Sequence, residues 1–129
     1  MPRYLTQDWL DAANGALSSS TTLAEAAADI ELTVQQVVTD GPDGDVAYHV
    51  DVELGAVRIV RGDAHAPTVT FEQTWDTASA IGRGELSAQG AFMTGLIRVR
   101  GDIPKLVEHG SVFGGVDDVL AELRAHTTY

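Results

Sequence analysis

Four histidines, His49, His65, His109 and His126, are the side chains best suited here to bind a metal or carry a proton, and no two stand three or four positions apart. A zinc pair on one helix needs that spacing, because only i, i+3 and i+4 share a face. The sequence therefore predicts no metal site. Asp40, Asp43 and Asp45 resemble a calcium loop only loosely, since their spacing is wrong and no Glu occupies the twelfth position. Asp40-Gly41-Pro42-Asp43-Gly44-Asp45 reads instead as a hairpin turn. Gly82-Arg83-Gly84 follows a helical stretch and lacks the third glycine of a dinucleotide loop, so it reads as a helix stop. His109-Gly110-Ser111 sets a serine near a histidine, but no Gly-x-Ser-x-Gly elbow exists to present a nucleophile. The absence of cysteine removes thiol catalysis, thiolate metal sites and disulfides. No catalytic residue and no cofactor is predicted. Arg98 and Arg100 should leave the apolar face of a strand together, with Arg58 joining them, as solvated arginines or as partners of a ligand carboxylate at a cavity mouth.

Composition narrows the classes further. A chain of 129 residues, 44% of them apolar, fits one domain (1–129) with a core of its own. A formal charge of −11 with only eight Lys and Arg argues against nucleic acid as a partner and against stable membrane anchoring. No signal-peptide core and no long apolar span is visible, so a cytoplasmic location is expected. A single lysine, Lys105, amid much Ala, Val, Gly and Asp hints at a bacterial source.

The elements that must position any site follow from periodicity. Leu5, Trp9, Ala12, Ala13, Ala16 and Leu17 recur at helical spacing behind Thr6, predicting a helix over 6–17, and a short second helix follows through Leu23 to Ala28. From Asp29 the period becomes two. Ile30, Leu32 and Val34, then Tyr48, Val50, Val52 and Leu54, then Val57 and Ile59 describe an antiparallel meander over 29–61. A fourth strand, 68–74, is followed by two short helices, one capped by Asp76-Thr77 and one starting at Ser87. A fifth strand covers 96–100, and the helical crossover suggests that strands four and five run parallel. Two closing helices are expected, the first over 103–113 with Pro104 in its first turn, the second marked by Val116, Val119, Leu120 and Leu123.

The stretch Glu85 to Asp102 resembles the most recognisable segment of the sterol-carrier-protein-2 family: Ala91-Phe92, a short spacer, Gly95, then an alternating strand closed by Gly101-Asp102. The order of elements resembles that family from Leu5 to the C-terminus. Beside the resemblance, the residues suggest architectural roles. Phe92 would plug apolar space beneath the paired helices, Gly95 would turn the chain into the strand, and Gly101-Asp102 would end that strand and start a helix.

The resemblance implies an α/β (α+β) fold, a single five-stranded mixed, mainly antiparallel sheet with helices over one face. It also implies an apolar cavity between sheet and helices that holds a fatty acid, acyl chain or sterol-like lipid without catalysis. The residues expected around that cavity are Trp75, Ile81, Phe92, Met93, Ile97, Val99, Phe113, Val116, Val119, Leu120 and Leu123, with the last helix as an opening lid of small contact area. The expected partner is a hydrophobic small molecule. Two other readings stay open: an accessory module docking a protein partner or a second copy through its apolar groove, and a small enzyme on a lipid or coenzyme-A-type substrate.

Overall fold

The computed structural model describes residues 3–42 and 44–128, apart from the side chains at 88, 89, 111, 113, 114 and 117. Helix α1 spans Gln7–Ser18, and its N-terminus is capped by Thr6, whose Oγ1 accepts from the Trp9 N–H at 3.4 Å. Its buried stripe, Trp9, Leu10, Ala13 and Leu17, keeps the helical period read from the sequence. Ser20 caps the short α2, Thr21–Ala26. Strands β1 (Glu31–Gly41), β2 (Gly44–Glu53) and β3 (Ala56–Arg61) form the antiparallel meander. Asp43 of the expected turn lies outside the described residues; Gly41 and Gly44 pair across that turn. Then come β4 (Val69–Thr74), α3 (Trp75–Gly82), α4 (Ala88–Met93), β5 (Arg98–Gly101), α5 (Ile103–Glu108), α6 (Gly110–Ala121) and a 3-10 turn at Arg124–His126.

The sheet order is β3-β2-β1-β4-β5. The parallel pair is β1 with β4, whereas β4 and β5 run antiparallel, contrary to the sequence expectation. The reason lies in where the connection returns the chain. A crossover gives a parallel strand only if it carries the chain back to the end where the previous strand began. Here β5 starts at Arg98, opposite Glu72 near the finish of β4, and ends at Gly101, opposite Val69. The helices α3 and α4 therefore leave and return at one end of the sheet.

Two helix boundaries also differ. Thr74, in extended conformation, caps α3 in place of Asp76-Thr77, because its Oγ1 accepts from the Thr77 N–H at 3.2 Å. The break between the closing helices falls at His109, not after residue 113. Val112 and Val116, one turn apart on α6, are both buried, so one helical face runs unbroken through that stretch.

Helices α1, α2, α3 and α6 cover the inner sheet face, where Leu32, Val34, Val38, Val50, Val52, Val57, Ile59 and Val69 meet Leu10, Leu17, Leu23, Ala78 and Val112. Burying each such aliphatic side chain contributes roughly 1.5–3 kcal/mol. The outer face is polar. Residues 62–68 cross it from β3 to β4, and Gln35 holds them there: Oε1 accepts from the Ala64 N–H at 2.6 Å, and Nε2 donates to the Tyr48 and Gly62 carbonyls at 3.2 and 3.4 Å. His49 Nδ1 donates to the same Gly62 carbonyl at 3.0 Å.

The C-terminal segment is docked, not loosely hinged. Trp9 Nε1 donates to Thr127 Oγ1 at 3.1 Å in the interior, and the Tyr4 N–H donates to the Thr128 carbonyl at 2.7 Å. Arg124 Nε reaches the Gly82 carbonyl at 2.8 Å. Val112 and Val116 of α6 reach the core, and Val119, Leu120 and Leu123 pack against it half-buried.

Candidate functional site

Strand register sets the inner surface row by row. Tyr48 on β2 stands opposite Gln36 on β1, Gln36 opposite Phe71 on β4, and Phe71 opposite Val99 on β5. The neighbouring row, Val50, Val34 and Val69, is fully covered, but Gln36, Phe71 and Val99 are only half-buried. Gln36 sits on the middle strand of five, so it can meet solvent only where the helical layer leaves room above it. The helices thus close over one part of the inner face and leave the β4–β5 part less covered.

Apolar residues collect around that less covered part. Among the described residues, Phe92, Met93, Leu96, Ile103 and Val107 are large, apolar and exposed, Met93 at 76% and Val107 at 73%; Leu54, in the β2–β3 turn, is the sixth. Those first five flank β5 on both sides in sequence. Local geometry explains why α4 presents them. Ser87 caps α4, the Ala91 carbonyl accepts from the Leu96 and Ile97 N–H groups, and Gly95 (φ 80°) makes the turn between them. Ala91 and Ile97 fill the interior side of that turn, which leaves Phe92, Met93 and Leu96 on its outside.

The expected site residues therefore separate. Ile97 and Val116 are buried, and Val119, Leu120 and Leu123 are half-buried against the core. Trp75 packs edge-on against Tyr4, with ring centres 5.5 Å apart, and Ile81 is half-buried on α3. Val99 is half-buried on β5, and the side chain of Phe113 lies outside the described residues. Phe92 does not plug the space beneath the helices; at 49% exposure it stands outside them. Leu96, Ile103 and Val107 fall outside the set expected from the sequence. Their signal there is an apolar residue on either side of a strand too short to bury both.

Two hollows open elsewhere. A groove of about 470 Å³ between α2 and α6 is lined by Ser20, Thr22, Leu23, Ala26, Gly115, Asp118, Val119 and Glu122. Its lining is mixed, with the apolar Leu23, Ala26 and Val119 beside the hydroxyls of Ser20 and Thr22 and the carboxylates of Asp118 and Glu122. A smaller hollow of about 80 Å³ lies beneath Tyr4, Arg61 and Trp75.

The arginines divide as well. Arg98 and Arg100 are exposed on β5, with Arg100 Nη2 3.8 Å from Glu72, while Arg58 stands at the opposite edge of the sheet, 3.7 Å from Asp51. Arg98 and Arg100 leave the apolar face together as expected, but Arg58 does not join them. Among the described residues no three His, Asp or Glu side chains are grouped to hold a metal ion, and no helix is long and apolar enough to cross a membrane.

A helix-backed mixed sheet of this order, with apolar residues left uncovered at one edge, defines a class of small sheet-and-helix modules. Within that class the chain belongs to the SCP-2 sterol transfer family, which its residues 7–113 match. It is similar to a conserved hypothetical protein of Thermus thermophilus, described as a possible sterol carrier protein, with 25% identity and a TM-score of 0.77 over 95% of this chain and 91% of the other. A crystal structure of sterol carrier protein 2 gives 25% identity and a TM-score of 0.78 over 93% and 98%. Sterol carrier protein domain 2 of Helicoverpa armigera, at 19% identity and a TM-score of 0.65 over 89% and 87%, shares the fold. No curated protein matches the sequence.

Proposed function

We propose that this chain, acting as one domain over 1–129, binds and carries a lipid without catalysing a reaction. The lipid's chain lies against the less covered β4–β5 part of the inner sheet face and is edged by the apolar residues of α4 and α5. One observation carries the reading: five of the exposed large apolar residues flank a single four-residue strand, next to the half-buried Phe71 and Val99. Uncovered apolar surface is costly in water, and an alkyl or polycyclic chain laid over it gains roughly 25 cal/mol per Å². Of the residues expected from the sequence, Phe92, Met93 and Val99 contact the ligand directly. Ile97, buried behind β5, backs them from the core side.

The test is native mass spectrometry of protein purified from cells, with solvent extraction of whatever is bound, repeated on a Met93→Asp, Val107→Asp double variant. Both positions are exposed, so stability should stay within about 0.5 kcal/mol of the parent. A bound lipid that is lost in the double variant supports the reading. Protein that is empty, and that gains no thermal stability from fatty alcohols, fatty acids or sterols, overturns it. The same patch would then serve as a docking surface for a protein partner, visible as self-association that the double variant abolishes.

A further inference from the structure

The inner sheet face carries polar side chains at two places: Arg61 on the edge strand β3, opposite Tyr48, and a pair of amides on β1 and β4. Gln36 on β1 and Gln73 on β4 both point to the helical side, and Gln73 Nε2 donates to Gln36 Oε1 at 3.0 Å. Gln73 is 8% exposed, and its own Oε1 is buried with no hydrogen-bond partner among the described residues. Leaving a buried acceptor unmet is destabilising, so a residue of the same shape without the amide would suit a merely structural position better. The pair also sits where the helical cover is thin, because Gln36 is half-buried in mid-sheet and Phe71 beside it is half-buried too. Gln73 lies at the end of β4 where α4 returns the chain, which brings the exposed Phe92, Met93 and Leu96 to the same end of the sheet.

We infer that the Gln36–Gln73 amide pair is the polar anchor of the lipid site and that it selects a neutral ligand ending in a hydroxyl. This deepens the lipid-carrier reading and rests on it. The logic is complementarity of donors. Gln73 Nε2 is bonded to Gln36 Oε1, which leaves Gln73 Oε1 as a buried acceptor and the Gln36 Nε2 group as a donor; a hydroxyl satisfies both, donating to the first and accepting from the second. An ether oxygen can accept from Gln36 but offers no proton to Gln73 Oε1, and a carboxylate would set negative charge against that oxygen. Arg61, on the same row of the inner face, stands two strands from Gln36 beyond Tyr48 with its Nη1 on the Leu5 carbonyl. A lipid alcohol reaching in from the α4 side would put its hydroxyl on Gln73 and its chain along Phe71, Val99 and Met93.

The experiment compares hexadecanol, hexadecyl methyl ether and hexadecanoate as displacers of a fluorescent alkyl probe, on the full chain and on Gln73→Leu and Gln36→Leu. The unaltered protein should prefer the alcohol over the ether by roughly fivefold or more and over the carboxylate by at least as much. In Gln73→Leu that preference should vanish, with affinity for the ether kept or raised. The comparison within the unaltered protein does not depend on how any variant folds, and the half-buried Gln36 supplies a second, milder substitution. Equal affinity for alcohol and ether, or a preference unchanged in both variants, overturns the anchor while leaving the lipid-carrier reading intact. Failure of all three compounds to displace the probe, or of the probe to bind, overturns both.

Discussion

Asn14 holds both backbone groups of Ile59 at once: its Oδ1 accepts from the Ile59 N–H at 2.6 Å, and its Nδ2 donates to the Ile59 carbonyl at 2.8 Å. Ile59 lies on β3, the edge strand, so a side-chain amide from α1 takes the place that a sixth strand would occupy. An edge with open N–H and C=O groups is a template for unwanted pairing, and covering it removes that template. Asn14→Ala should lower stability by about 1–2 kcal/mol in urea unfolding. Asn14→Asp should also destabilise, since it keeps the acceptor but sets a carboxylate against the Ile59 carbonyl. An unchanged unfolding midpoint in both variants would mean that solvent replaces the amide at no cost.

Gln35 makes the comparable connection on the other face, where its amide ties the 62–68 crossover to the middle of the sheet. Gln35→Leu fits the volume but leaves the Ala64 N–H without its 2.6 Å partner. Loss of roughly 2 kcal/mol is expected, together with faster amide hydrogen exchange at Ala64. Retained slow exchange at that position would show that the crossover is held by other contacts.

Gly101 and Gly95 separate two reasons for glycine. Both have positive φ, 108° and 80°, but a Cβ on Gly101 would come within 2.5 Å of the Thr68 carbonyl oxygen, whereas one on Gly95 meets nothing within 4 Å. Gly95→Ala should cost about 1 kcal/mol, the conformational term alone. Gly101→Ala adds a backbone clash at the β4–β5 pairing and should cost about 3 kcal/mol or prevent folding. Thermal midpoints ranked in the opposite order would contradict this account.

Thr127 tests whether the C-terminal segment is a lid or part of the frame. Its Oγ1 accepts from Trp9 Nε1 and donates to the Leu123 carbonyl at 2.6 Å. Thr127→Val keeps the shape and leaves the buried indole N–H unmet, so stability should fall by about 1–2 kcal/mol. A lid would instead show unchanged stability with faster ligand release, which stopped-flow dissociation measures directly.

What the sequence determined by itself was the set of elements and the family pattern. Thr6 before an apolar period of 3.6 marked α1, and alternation from Ile30 to Ile59 marked the meander, because these signals are local and each is read within a few residues. Gly95 and Gly101-Asp102 announced a turn, a strand end and a helix cap, and the structure gives them those roles, with Asp102 Oδ1 accepting from the Lys105 N–H at 3.1 Å. Tertiary structure alone decided the rest. Periodicity tells which residues share a face but not what covers that face, so Phe92 could be read as core although α4 turns it outward. Strand direction in the β4–β5 pair depended on where two short helices returned the chain. The long-range roles of Asn14, Gln35 and Gln73 were invisible for the same reason: an amide in sequence is one more polar residue, and only the fold supplies the partner it meets or lacks.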